Sequence, residues 1–127
     1  MSPRVLVVEG DPSVRGLLQT LLSAEGYDVA TSADGLAGLR EAVDTPPALV
    51  LLDLVMPDLG GLQVLEQLRA DPELSGTAVV GLTGKVEVAP DLRELLGGES
   101  VFVKPFPVAE LLSRVAVLTG GPTAGAA

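Results

Sequence analysis

The chain has 127 residues, 47% of them hydrophobic, and a formal net charge of -9 from 17 acidic and 8 basic groups. That length suits one domain with a real core, while the acidic balance and 2% aromatic content exclude a nucleic-acid surface, which needs basic groups and stacking rings. The absence of Cys and His excludes disulfides, thiol nucleophiles, a Ser-His-Asp triad, histidine-ligated zinc and a phosphohistidine carrier, so chemistry falls to carboxylates, hydroxyls, Lys and Arg.

In chain order, the first apolar run is Val5–Val8, continuous as in a strand buried on both faces. It is too short for a signal-peptide core, and no later run approaches the roughly 20 residues that span a bilayer. A cytoplasmic protein without membrane contact is expected. Asp11-Pro12 then supplies a helix cap and a Pro at the first helical position. Val14, Leu17, Leu18, Leu21 and Leu22 follow at helical spacing, ending at Gly26. A weaker strand signal near Tyr27–Ala30 precedes a second helix marked by Leu36, Leu39 and Val43. Ala48–Leu52 reads as the third strand and delivers Asp53 at its end.

Leu62, Leu65 and Leu68 mark a third helix, and Ala78–Val80 a fourth strand. Pro90 to Leu96 leaves room for only about two turns of a fourth helix. Val101–Val103 is the fifth strand. Val108, Leu111, Leu112, Val115 and Leu118 mark the last helix, entered through Pro107. Leu36, Val43 and the leucine stripes are read as core. Residues 120–127 are expected to bury nothing and to form a disordered tail or linker stub, leaving residues 1–119 as one domain.

Alternating strands and helices imply a parallel sheet with helices on both faces, and ligands bind such sheets beyond the carboxyl ends of the strands. Glu9-Gly10-Asp11, Asp53, Thr83 and Lys104 occupy those ends. A carboxylate emerging from an apolar strand, a hydroxyl and an ammonium at one edge are the parts for acyl-phosphate chemistry. The carboxylate is the nucleophile, the other two hold oxygens, and Mg²⁺ on carboxylates offsets charge. The plainer alternatives make Asp53 a turn residue and Asp11 a helix cap.

Four segments carry a resemblance: Val7-Val8-Glu9, Leu51-Leu52-Asp53-Leu54-Val55-Met56-Pro57-Asp58-Leu59-Gly60-Gly61, Leu82-Thr83 and Val103-Lys104-Pro105-Phe106. In this order, with 30 residues from Asp53 to Thr83 and 21 from Thr83 to Lys104, they resemble the response-regulator receiver domains of two-component signalling. The resemblance covers residues 3 to 118. It implies an α/β, flavodoxin-like (βα)5 domain with a five-stranded parallel sheet in the order 2-1-3-4-5. It implies that Asp53 accepts a phosphoryl group from a sensor histidine kinase or phosphotransfer protein. Thr83 would hydrogen-bond one phosphoryl oxygen, Lys104 would pair with another, and Lys104-Pro105 would be cis. Mg²⁺ would be held by Glu9, Asp53 and the backbone carbonyl of Val55. The signal would pass to a downstream output protein or domain, or through a homodimer.

Two positions depart from that pattern, and a third feature bears on it. Gly10 stands where the family carries a second acid that ligates Mg²⁺, so weak metal binding is expected unless Asp11 swings in or Glu9 ligates directly. Val101 stands where the family usually has Tyr or Phe; Phe102 comes one residue later, on the opposite face by strand alternation. Val55 and Lys85 occupy positions that in the family flank the path of hydrolytic water; Val55 is either an apolar residue that slows dephosphorylation or simply a loop residue. Two readings follow: a working phosphoacceptor that holds Mg²⁺ weakly, or a receiver-like interaction module independent of phosphorylation. An aspartyl phosphatase is disfavoured, because haloacid-dehalogenase-type enzymes place a second Asp two residues after the nucleophile, where this chain has Val55.

Overall fold

The computed structural model describes residues 2–56, 60–84 and 100–122. Every apolar run of the sequence becomes a strand and every amphipathic stretch within the described residues a helix. The elements are β1 (Arg4–Val8), α1 (Pro12–Glu25), β2 (Asp28–Ser32), α2 (Gly35–Asp44), β3 (Leu49–Asp53), α3 (Gly61–Ala70), β4 (Ala78–Thr83), β5 (Val101–Val103) and α4 (Val108–Thr119). The strands pair in parallel in the order β2-β1-β3-β4-β5, as expected. The short helix expected over Pro90 to Leu96, Lys85, and residues 57–59 after the third strand lie outside the described residues.

Strand alternation divides the core into two layers. Leu6, Val8, Val50 and Leu52 face α2 and α3, meeting Ala42, Val64, Leu65 and Leu68. Val5, Val7, Leu49 and Leu51 face α1 and α4, meeting Leu18, Leu22, Leu111 and Val115. Asp11 caps α1, its side chain accepting from the N–H groups of Ser13 and Val14, and the helix closes on left-handed Gly26. Among the described residues no helix is long and apolar enough to cross a membrane.

Two expectations are corrected. Leu36 and Val43 are 49% and 55% exposed, not core, and Leu17 and Leu62 also reach solvent. On α2 the reason is a close approach. The helix rests on the sheet through Gly35, Gly38 and Ala42, and a Cβ added at Gly38 would lie 2.6 Å from Cγ2 of Val8. With the small side chains against the sheet, Leu36 and Val43 are carried round to the outside, while Leu39 still packs against the core. The second correction concerns the tail. Gly120 and Gly121 take positive φ, turning the chain back so that Pro122 lies against Gly26. Gly121 and Pro122 are therefore partly buried, where the sequence suggested that nothing after 119 would be.

A close approach also sets α3 beside the end of β3. A Cβ on Gly61 would come within 2.7 Å of the Leu54 backbone, and the Gly61 N–H donates to the Leu54 carbonyl at 3.3 Å. Gly38 and Gly16 give a paired prediction for urea unfolding. Gly38→Ala overpacks the α2–β1 contact and should lower stability by about 1–3 kcal/mol. Gly16→Ala meets nothing within 4 Å and should raise it by about 0.5–1 kcal/mol through helix propensity.

Candidate functional site

The strand register assembles the site. Val8 pairs with Leu52, Asp53 with Leu82, and Thr83 with Val103. The pairing runs one residue past the strands: the N–H of Glu9 donates to Ser32 O at 3.1 Å, that of Leu54 to Leu82 O at 2.8 Å, and that of Lys104 to Thr83 O at 2.7 Å. Glu9, Asp53, Thr83 and Lys104 therefore share one carboxyl edge. By alternation Glu9 follows Val5 and Val7, Asp53 follows Leu49 and Leu51, and Lys104 follows Phe102. That places all three charged groups on the face covered by α1 and α4.

Lys104 is the centre of the cluster. Its Nζ lies 2.8 Å from each carboxylate oxygen of Glu9 and 3.6 Å from Oδ2 of Asp53. Glu9 is fully buried, and Asp53 and Thr83 are only 6% and 2% exposed. Glu9 Oε1 accepts hydrogen bonds from Lys104 and, at 3.1 Å, from the Asp11 N–H. Oε2 touches the same ammonium out of line and has no hydrogen-bond partner. Asp53 Oδ1 accepts from the Val55 N–H at 3.0 Å, which turns Oδ2 toward Lys104. Burial pushes the Glu9 carboxyl above the usual range, opposed by the Lys104 and Asp11 hydrogen bonds and reinforced by the Asp53 charge.

The remaining sequence-predicted positions divide clearly. Asp11 sits on the helix cap, its Oδ1 2.8 Å from the Ser13 nitrogen and 3.4 Å from that of Val14. The plainer expectation for this residue, a helix cap, is the one these hydrogen bonds show. Gly10 is exposed, and a Cβ there would meet only the Ala33 carbonyl at 3.7 Å. A side chain is therefore not excluded at its Cβ, and what Gly10 lacks is a carboxylate. Among the described residues no group of three or more acidic side chains is placed to hold a metal ion. Lys104-Pro105 is cis, as the resemblance implied. Val101 packs with the α2–α3 layer and Phe102 with the α1–α4 layer, so no aromatic ring replaces Val101 on its own face.

Two features were not visible in the sequence. Arg15, one turn into α1, donates from Nη1 to the Glu9 carbonyl at 2.9 Å and holds the turn that carries the acid. Nothing in the composition marks it, since its acceptor is a backbone atom. Beside Lys104 lies an apolar slot of about 160 Å³ lined by Val14, Leu17, Phe106 and Val108. Together these groups form a shielded carboxylate with a cation 3.6 Å away and a hydroxyl-bearing residue on the next strand. Such a site is chemically suited to receiving a tetrahedral anion.

Comparison with known proteins agrees with this fold. The family described as response regulator receiver domain matches residues 5–116. The DNA-binding response regulator MtrA of Mycolicibacterium smegmatis is 40% identical over 116 residues, 91% of this chain and 50% of that protein. The DNA-binding dual master transcriptional regulator RpaA of Synechocystis is 34% identical over 117 residues, 91% of this chain and 48% of that protein. The chain thus spans about half the length of these relatives. The chemotaxis protein CheY4 of Vibrio cholerae superposes with a TM-score of 0.82 at 26% identity, covering 93% of this chain and 99% of that one. The receiver domain of sensor histidine kinase PA1611 from Pseudomonas aeruginosa, solved with a magnesium ion in its active-site cleft, shares the fold. Its TM-score is 0.84 at 24% identity, covering 95% of this chain and 100% of that one.

The raised pKa of Glu9 has a measurable sign. A carboxyl held above its ordinary value of 4.5 favours the protonated form in the folded chain. Its contribution to stability is full below that value and is lost as pH rises through the folded pKa. Carbon-detected NMR titration of Glu9 should give a midpoint above 4.5; a midpoint below it would mean that the ion pair outweighs burial.

Proposed function

The chain belongs to the response regulator receiver domain family, and on that premise we propose that Asp53 is its phosphoryl acceptor. The observation that carries the proposal is the position of Asp53, shielded at the end of β3 with the Lys104 ammonium 3.6 Å from Oδ2. In the transfer, a carboxylate oxygen of Asp53 attacks phosphorus on a donor phosphohistidine as the P–N bond breaks. The departing imidazole keeps the electron pair and is protonated from solvent. Lys104 and the hydroxyl of Thr83 each hold an equatorial oxygen, countering the charge that gathers there. No proton has to be removed from the nucleophile, because a carboxylate attacks in its ionised form.

Glu9, Asp53 and the backbone carbonyl of Val55 are oxygen donors of the kind Mg²⁺ takes, and they would hold it. Glu9 Oε2, buried without a hydrogen-bond partner, is the atom best prepared for it. With Gly10 the set is one carboxylate short, so Mg²⁺ would be held weakly. Bound there, the ion supplies further charge neutralisation. Asp11 is left to its cap.

A sensor histidine kinase or phosphotransfer protein serves as donor in this reading. The output lies in a partner protein or domain, and with a charge of -9 this domain is not itself a DNA surface. Its place is the cytoplasm, its role signalling rather than substrate turnover. Gly10 and Val101 favour one second reading, a receiver-like module that works without phosphorylation.

Labelling with acetyl phosphate, followed by intact-mass measurement, tests the assignment. Wild type should gain the mass of one phosphoryl group, and Asp53→Asn should gain none. Full labelling of Asp53→Asn would refute the acceptor assignment. An unlabelled wild type at millimolar Mg²⁺ would favour the phosphorylation-independent module.

A further inference from the structure

The acidic pair of this site already has a cation of its own. Both oxygens of Glu9 lie 2.8 Å from the Lys104 ammonium, which also reaches Asp53 at 3.6 Å. Glu9, Asp53 and Lys104 together carry a formal charge of only -1, and Gly10 adds nothing to it. A divalent ion entering the pair would meet the ammonium at contact distance. Both would claim the same two oxygens of a side chain that is wholly buried and has no others to offer.

Which partner can yield is also set by the geometry. Glu9 is held at three points: its N–H donates to Ser32 O, its carbonyl accepts from Arg15, and its Oε1 accepts from the Asp11 N–H. The side chain of Lys104 is 23% exposed, against none for Glu9, and its charge rides on a flexible four-carbon stem. Glu9 stays in place, and Lys104 is the group that moves.

We propose that Lys104 and a divalent cation compete for Glu9 in this chain, and that Lys104 holds the site because Gly10 leaves the acidic pair one charge short. The weak metal affinity of the proposed function is then set by an internal ammonium as much as by a missing ligand. The inference rests on the reading of Glu9 and Asp53 as the metal-facing acids. An acid at position 10 would restore the charge that lets the metal prevail, and the space for it is open. Removing the ammonium should do the same from the other side.

Amide NMR with Mg²⁺ alone as the probe tests the proposal on four proteins. Wild type should shift weakly, without saturating in the low-millimolar range. Lys104→Gln and Gly10→Asp should each bind about ten- to a hundredfold more tightly. Lys104→Arg, which keeps the charge, should remain weak and so separates charge from packing. Lys104→Gln binding no tighter than wild type would overturn the proposal. Should that variant lose its dispersed spectrum, the Lys104 ammonium resonance of wild type is followed instead. It should shift in step with the amides around Glu9 as Mg²⁺ is added, and an ammonium signal unmoved while those amides shift would overturn the proposal as well. Failure of acetyl phosphate labelling would remove the acceptor assignment and leave these metal results standing, so the two can fail separately.

Discussion

A carboxylate with no exposure to water has to be answered by a positive charge or by a proton, and Glu9 is such a group. Its partner, Lys104, comes from the opposite end of the chain, 95 residues away. The pair forms only when β1 and β5 lie in one sheet with β3 and β4 between them. The order β2-β1-β3-β4-β5 thus places the ammonium across the end of β3, where it meets Asp53. Fold and site share this one electrostatic requirement. Exchanging Lys104 for a neutral residue leaves Glu9 to protonate or to find another cation.

Much of this was legible from the sequence, for reasons that can be named. A short continuous apolar run such as Leu49-Val50-Leu51-Leu52, with Pro46-Pro47 before it, reads as a strand covered on both sides, which sets Asp53 at an edge. Asp11-Pro12 announced a helix start because a capping side chain and a preset φ need nothing beyond local chemistry. Adjacent Val101 and Phe102 could be sent to opposite layers by alternation alone, and they pack that way.

The misreadings share a cause. Leu36 and Val43 looked like core because large apolar side chains define a helical stripe in a sequence. The contact of α2 is made instead by Gly35, Gly38 and Ala42, whose importance lies in how closely they let two backbones approach. Arg15 was missed because its partner is a carbonyl, and any residue carries one. Pro122 stands in a Gly- and Ala-rich stretch that offers nothing to bury, yet two successive glycines of positive φ bring it back to Gly26. Gly10 is the reverse case. The sequence exposed it as a departure, and the open space around it shows that no backbone constraint requires it.

One nucleophile is central to this site, and the most direct measurement asks which atom takes the phosphoryl group. Wild-type chain treated with acetyl phosphate is reduced with borohydride, which converts an aspartyl phosphate to homoserine, and its peptides are sequenced by mass spectrometry. Homoserine should appear at position 53 and nowhere else. Modification at another carboxylate, or none at 53 in a chain that has gained a phosphoryl group, would contradict the assignment of Asp53.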